Sequence, residues 1–88
     1  MPYRVLIKNS AKSDIRKLKQ SHLLNRFLEI VEALKEDPFR QSDQFKKLVP
    51  YHEGYYSRRI NLQHRLVYRV LEDKKEVHIF SAWSHYQS

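Results

Sequence analysis

Residues 3–8 alternate Tyr3, Val5 and Ile7 with Arg4, Leu6 and Lys8, and this period of two predicts a strand. Ser10 follows as a candidate N-cap, its hydroxyl suited to accept from an amide of the next turn. Ala11, Ile15 and Leu18 fall at i, i+4 and i+7, which predicts a short amphipathic helix over 11–19. Asp14 lies in its first turns, where negative charge suits the helix dipole. Ser21 is placed to cap a second helix running to about Asp37. Leu23, Leu24, Phe27, Ile30, Val31 and Leu34 recur there at three- and four-residue steps. Pro38 ends it, because a proline pushes the residue before it out of the α region. Two helices joined so tightly predict an antiparallel hairpin.

From Phe39 to Gly54 no period survives, and the segment reads as a long loop carrying Arg40, Lys46, Lys47 and His52. The last third is β-branched and aromatic. Residues 55–61, 65–71 and 76–83 read as three strands of a meander, parted by the polar joints 62–64 and 72–75. In the middle strand Leu66, Tyr68 and Val70 share one face, and Arg65, Val67 and Arg69 the other. The expected architecture is a single α+β domain over 1–88, ordered β-α-α-β-β-β. A small, mostly antiparallel sheet carries the helical hairpin on one face and leaves arginines and aromatics on the other.

Composition narrows the class. The 88 residues hold 17 Lys+Arg against 10 Asp+Glu, a net charge of +7 that favours a polyanionic partner. Hydrophobic residues make up 41%, enough for a small core, while a mean hydropathy of −0.75 marks a very polar surface. Zero cysteine excludes a disulfide scaffold and thiolate metal sites, and suits a cytoplasmic location. No apolar run is long enough to span a bilayer. Charge alone leaves nucleic acid, an acidic protein or an anionic membrane surface open as the partner, and the motifs below leave no membrane partner expected. The N-terminus, with Arg4 inside its apolar stretch, does not read as a signal peptide. The spacings of His22, His52, His64, His78 and His85 match no metal pattern, so neither a metal nor another cofactor is expected.

Alternation along residues 55–61 sets Ser57 and Arg59 together, opposite Tyr56, Arg58 and Ile60, and Arg65 in the next strand falls beside Arg59. His85 and Tyr86 follow the last strand, and Lys46 and Lys47 lie in the segment that would cover the group. Guanidiniums, an imidazole and a phenol together suit phosphodiester chemistry. Arg binds phosphate through a planar fork, and His holds or loses a proton near neutrality. Around this group Lys47, Tyr56, Arg58 and His64 are the expected RNA-binding residues, with Arg58 also readable as structural. Of Tyr55 and Tyr56, one is expected to stack on bases and one to pack against a helix. Ser57 lacks a His–Asp pairing for serine-hydrolase chemistry.

The run YYSRRINLQHRLVYRV (55–70) and the ending SAWSHY (81–86) closely resemble the YoeB/Txe family, in the RelE/ParE superfamily of type II toxin–antitoxin toxins. The likeness spans nearly the whole chain, including PF at 38–39. It implies a ribosome-dependent mRNA endonuclease that cuts in the A site without metal and inhibits translation. A cognate YefM-like antitoxin would neutralise it, and operator DNA would be met only through that complex; a homodimer is a further expectation. Matching motif positions give Arg59 and Arg65 the charge-stabilising roles, His85 the general acid and Tyr86 the role of its terminal partner.

The sequence departs from the family pattern in two places. Lys46 stands where many members carry a catalytic Glu two residues before Leu48, and Gln63 replaces an acid before the His-Arg pair. Three readings stay open: Lys46 as a base or extra cation, Glu53 as the carboxylate, or a weakened nuclease that chiefly binds its antitoxin. A ParE-type gyrase inhibitor is the alternative that keeps the fold and drops RNA cleavage.

Overall fold

The computed structural model describes residues 2–42, 44–48 and 54–83. Strand β1 (Arg4–Ile7) leads almost directly into helix α1 (Asn9–Gln20). The Lys8 amide is still tied to the sheet, donating to the Ile79 carbonyl at 3.0 Å, so the helix starts at Asn9 and Lys8 takes the N-cap position. Ser10 is therefore inside the helix rather than its cap, and its hydroxyl donates to the Phe80 carbonyl at 2.7 Å. Asp14 also serves a different purpose from the one its position suggested. It lies beyond the first turn, and its Oδ2 accepts from the Ala82 amide at 3.1 Å, satisfying a backbone donor just past the last strand.

Ser21 closes α1 instead of opening the next helix. His22 takes a left-handed φ of 61° and donates to the Lys19 carbonyl at 3.3 Å, while Leu23 donates to the Leu18 carbonyl at 2.8 Å. That pair of bonds is a Schellman turn, and it delays helix α2 to Leu24–Glu36. Phe27, Ile30, Val31 and Leu34 are buried with Ala11 and Leu18. Each large side chain so buried contributes roughly 1.5–3 kcal/mol. Asp37 is extended at φ −157° and ψ 98°, as the following proline demands.

The sheet has five strands, with β3 (Tyr55–Arg59), β4 (Arg65–Leu71) and β5 (Glu76–Ser81) as the expected meander and a short β2 (Lys46–Lys47), in the order β1-β5-β4-β3-β2. β1 runs parallel to β5, and every other pair is antiparallel. One strand is additional. Lys46–Lys47 forms β2 on the edge beside β3, inside the segment that reads as loop, because two residues are too few to display a period. Ile60, Leu66, Tyr68, Val77, Ile79 and Ala82 join the helical side chains in one core. Among the described residues no helix packs on the other face, and none is long and apolar enough to cross a membrane.

Candidate active site

Antiparallel pairing sets Arg59 directly opposite Arg65, Ser57 opposite Val67, and Lys46 opposite Ser57. Opposed residues share a face of the sheet, so Lys46, Ser57, Arg59 and Arg65 all stand on the face away from the helices. Lys46, Arg59 and Arg65, with Gln44 and Phe45, line an open cleft of about 140 Å³.

Arg65 is the anchored member of the group. Its Nε donates to Ser57 Oγ at 3.0 Å and its Nη2 to the Gln44 carbonyl at 2.6 Å. Ser57 is fully buried, which makes its hydroxyl a mooring for the guanidinium. Gln44 reaches Arg65 from a left-handed φ of 55°, an uncommon conformation for a residue with a side chain. Partial burial lowers the Arg65 pKa, and the neighbouring Arg59 charge lowers it further. Two cations held side by side in a partly dry cleft form a site that an anion stabilises. Phosphate matches it best, since a guanidinium fork binds phosphate oxygens in pairs and stays charged.

Other expected site residues lie elsewhere. Lys47 pairs with Tyr56, so it stands on the opposite face from Lys46 and turns away from the cleft. Tyr56 is half-buried and stacked between Phe45 at 5.4 Å and Tyr68 at 5.8 Å, with Phe39 meeting its ring edge-on at 5.5 Å. Those contacts make it packing rather than a surface for a base.

Arg58 is 0% exposed, which removes it from contact with RNA. Its Nε donates to Tyr68 Oη at 3.1 Å, Nη1 to the Ser42 carbonyl and Oγ at 3.1 Å each, and Nη2 to the Pro38 carbonyl at 3.2 Å. It thereby fastens residues 38–42 to the sheet. Tyr68 donates to the same Pro38 carbonyl at 2.6 Å, and burial pushes its pKa up to about 12. His64 is also buried. Its ring stacks on Trp83 with centroids 3.9 Å apart, and its Nδ1 donates to the Trp83 carbonyl. Its position argues for holding the end of β5 in place rather than touching RNA. His85, Tyr86 and Glu53 lie outside the described residues.

Sequence reasoning missed Gln44 and Phe45 as parts of the cleft, and no local signal marks either. The partnership of Ser57 with Arg65 had a usable signal, because the alternation that aligned Ser57 with Arg59 also faces it toward the next strand.

Residues 9–86 match the family described as YoeB-like toxin of bacterial type II toxin–antitoxin systems. The chain is 38% identical to Toxin YoeB of Synechocystis sp. over 65 residues, covering 74% of this chain and 73% of that one. Among solved structures it resembles the YoeB dimer from Staphylococcus aureus, with 28% identity and a TM-score of 0.81 over 98% of this chain and 100% of that one. It also resembles the heterotetrameric YoeB–YefM toxin–antitoxin complex from the same organism, with 27% identity and a TM-score of 0.77 over the same shares of the two chains.

Proposed function

Because the chain belongs to the YoeB-like toxin family of bacterial type II toxin–antitoxin systems, we propose that it is an endoribonuclease cutting translated mRNA in the ribosomal A site. The observation that carries this reading is the convergence of Arg59, Arg65 and Lys46 on one cleft. In the reaction, a 2′-oxygen attacks the adjacent phosphorus as its proton leaves, the bond to the 5′-oxygen breaks, and that oxygen takes up a proton. Negative charge grows on the phosphoryl oxygens between those events. Arg65, fixed at Nε and Nη2, meets that charge with little reorganisation, and Arg59 and Lys46 add to the field. Lys46 acts here as a cation, in a position where many relatives carry an acid. His85 is the proposed acid for the leaving oxygen, with Tyr86 beside it.

A YefM-like antitoxin and a second copy of the toxin are the proposed partners, as in the Staphylococcus aureus structures. A cytoplasmic location and the absence of a metal requirement complete the proposal. The positive cleft favours RNA cutting over gyrase inhibition, which needs no phosphate site of this form.

Primer extension on translated and untranslated message tests the reading. Cuts are expected only on translated message, and Arg65→Ala is expected to slow them by roughly 10²–10³-fold, the range for losing one preorganised charge donor. Equal cutting of untranslated message, or full activity in Arg65→Ala, would overturn the proposal. The Lys46→Glu and Lys46→Gln variants separate the cation role from a weakened site: losses in both support the cation, whereas a large gain in Lys46→Glu reverses the assignment.

A further inference from the structure

The open face of the sheet carries a second grouping that the cleft does not use. Tyr55 stands on the same face as Ser57 and Arg59, four residues from Arg59 and so about 13 Å along the strand. Its ring meets Phe80 of β5 edge-on, with centroids 5.4 Å apart and planes at 67°. Arg69 lies directly opposite Tyr55 in register and holds its guanidinium carbon 5.8 Å from the centre of the tyrosine ring. Both rings are half-buried and Arg69 is exposed. Among the described residues, no helix covers this side of the sheet.

These features answer to one kind of ligand. Half-buried aromatic rings on a face that no described helix covers keep an edge or face open to a ligand, and a guanidinium beside them attracts negative charge. Single-stranded nucleic acid supplies both complements, a flat base for the ring and a phosphate for the cation. The grouping lies on the same face as the Arg59–Arg65 cleft, two same-face residue pairs away in the β3–β4 register, within the reach of a few nucleotides of extended strand.

We propose that Tyr55, Phe80 and Arg69 form a base-stacking platform for single-stranded RNA leading into the cleft, an inference that rests on the RNA-cutting reading above. The rings accept the base and Arg69 takes a flanking phosphate. Every base has a π-face, so the platform holds the strand with little sequence preference. Between the two adjacent tyrosines the role falls to Tyr55, because Tyr56 is committed to Phe39, Phe45 and Tyr68.

The test measures binding of the full chain to a short single-stranded RNA, 2′-O-methylated throughout so that it is not cut, and to the same strand with abasic positions. The wild type is expected to bind the base-bearing strand about tenfold more tightly, within the range of base–aromatic stacking. Tyr55→Leu and Phe80→Leu should lose that difference and bind both strands as the wild type binds the abasic one. Tyr55→Trp should keep it, and thermal melts of all variants show whether each is folded. Arg69→Gln should weaken both strands alike and lower the salt slope by about one. The platform is overturned if the wild type binds the two strands equally or binds neither. It is equally overturned if folded Tyr55→Leu retains the full difference, or loses only its affinity for the antitoxin. None of these outcomes touches the cleavage reading, which is decided on ribosomes through Arg65.

Discussion

Replacement of Arg58 by alanine separates two roles for the middle residue of the Ser57–Arg59 run: RNA contact and internal anchor. The guanidinium is fully buried and donates to Tyr68 Oη, to both Ser42 oxygens and to the Pro38 carbonyl. It also lies 5.1 Å from the centre of the Phe45 ring. Truncation removes donors from these acceptors in a dry interior and leaves a cavity where the side chain lay. A hydrogen bond to a charged group is worth about 1.5–3 kcal/mol, but such terms do not add within one network. Several buried acceptors left without a donor, at roughly 1–3 kcal/mol for one alone, cost roughly 3–5 kcal/mol together, against a total stability of roughly 5–15 kcal/mol for a domain of this kind. At about 4–8 °C per kcal/mol, the lower figure alone depresses Tm by roughly 12–24 °C. Urea unfolding followed by far-ultraviolet circular dichroism measures this directly, and RNA affinity is read on the fraction that remains folded. Arg58→Lys retains the charge but not the planar fork, and it should recover only part of the loss. An Arg58→Ala midpoint within about 0.5 kcal/mol of wild type, together with weakened RNA binding, would refute the anchor and restore the surface role.

Tyr68→Phe tests the same network from the other side. A phenol pKa raised from 10.0 to about 12 contributes stability that is intact below pH 10 and lost as pH rises toward 12. Two pKa steps correspond to about 2.7 kcal/mol, so wild type should lose up to that much more than Tyr68→Phe across this interval, and parallel alkaline unfolding curves would disprove it. Ser57→Ala removes the hydroxyl that moors Arg65 Nε and should slow single-turnover cleavage on ribosomes by about tenfold, less than Arg65→Ala, with Tm little changed. A wild-type rate would show that Arg65 keeps its place without it. Hydrogen bonds from His78 and then Arg4 hold the Glu76 carboxyl below its ordinary pKa. That interaction stabilises the fold above the ordinary carboxylate range and is lost as pH falls through the depressed value. Glu76→Gln should therefore flatten the acid limb of the stability curve, and acid limbs of equal slope would count against the interaction. Asp14→Ala strips the acceptor from the Ala82 amide and should cost about 1–3 kcal/mol in urea unfolding; no loss would mean that water replaces it.

What could be read from the sequence was the part governed by local period. The α2 stripe from Phe27 to Leu34 and the bounds of β4 follow from neighbours a few residues away, and the pairing of Arg59 with Arg65 follows from one short hairpin. Features set by distant partners were not readable. Arg58 could be read either as an RNA contact or as a structural residue, and only carbonyls 16 to 20 residues upstream decide for the internal role. Ser10 and Ser21 have the composition of N-caps, but a sheet bond at Lys8 and a left-handed His22 displaced both helix starts. Gln44 enters the cleft through backbone conformation, for which its side chain gives no signal.

The parallel pairing of β1 with β5 has a consequence for how the protein is made. Arg4 and Glu76 face each other across 72 positions of chain, and β5 lies between β1 and β4 in the sheet. At about 5–20 residues per second, synthesis separates those two strands by roughly 4–14 s. During that time α1 and α2 have emerged, but the strand that joins β1 to the rest of the sheet has not. The fold is one of high contact order, in which the last strand made completes the sheet. A nascent chain is thus kept from closing its sheet until β5 has been made, so β1 waits for a partner that its own neighbours in sequence cannot supply.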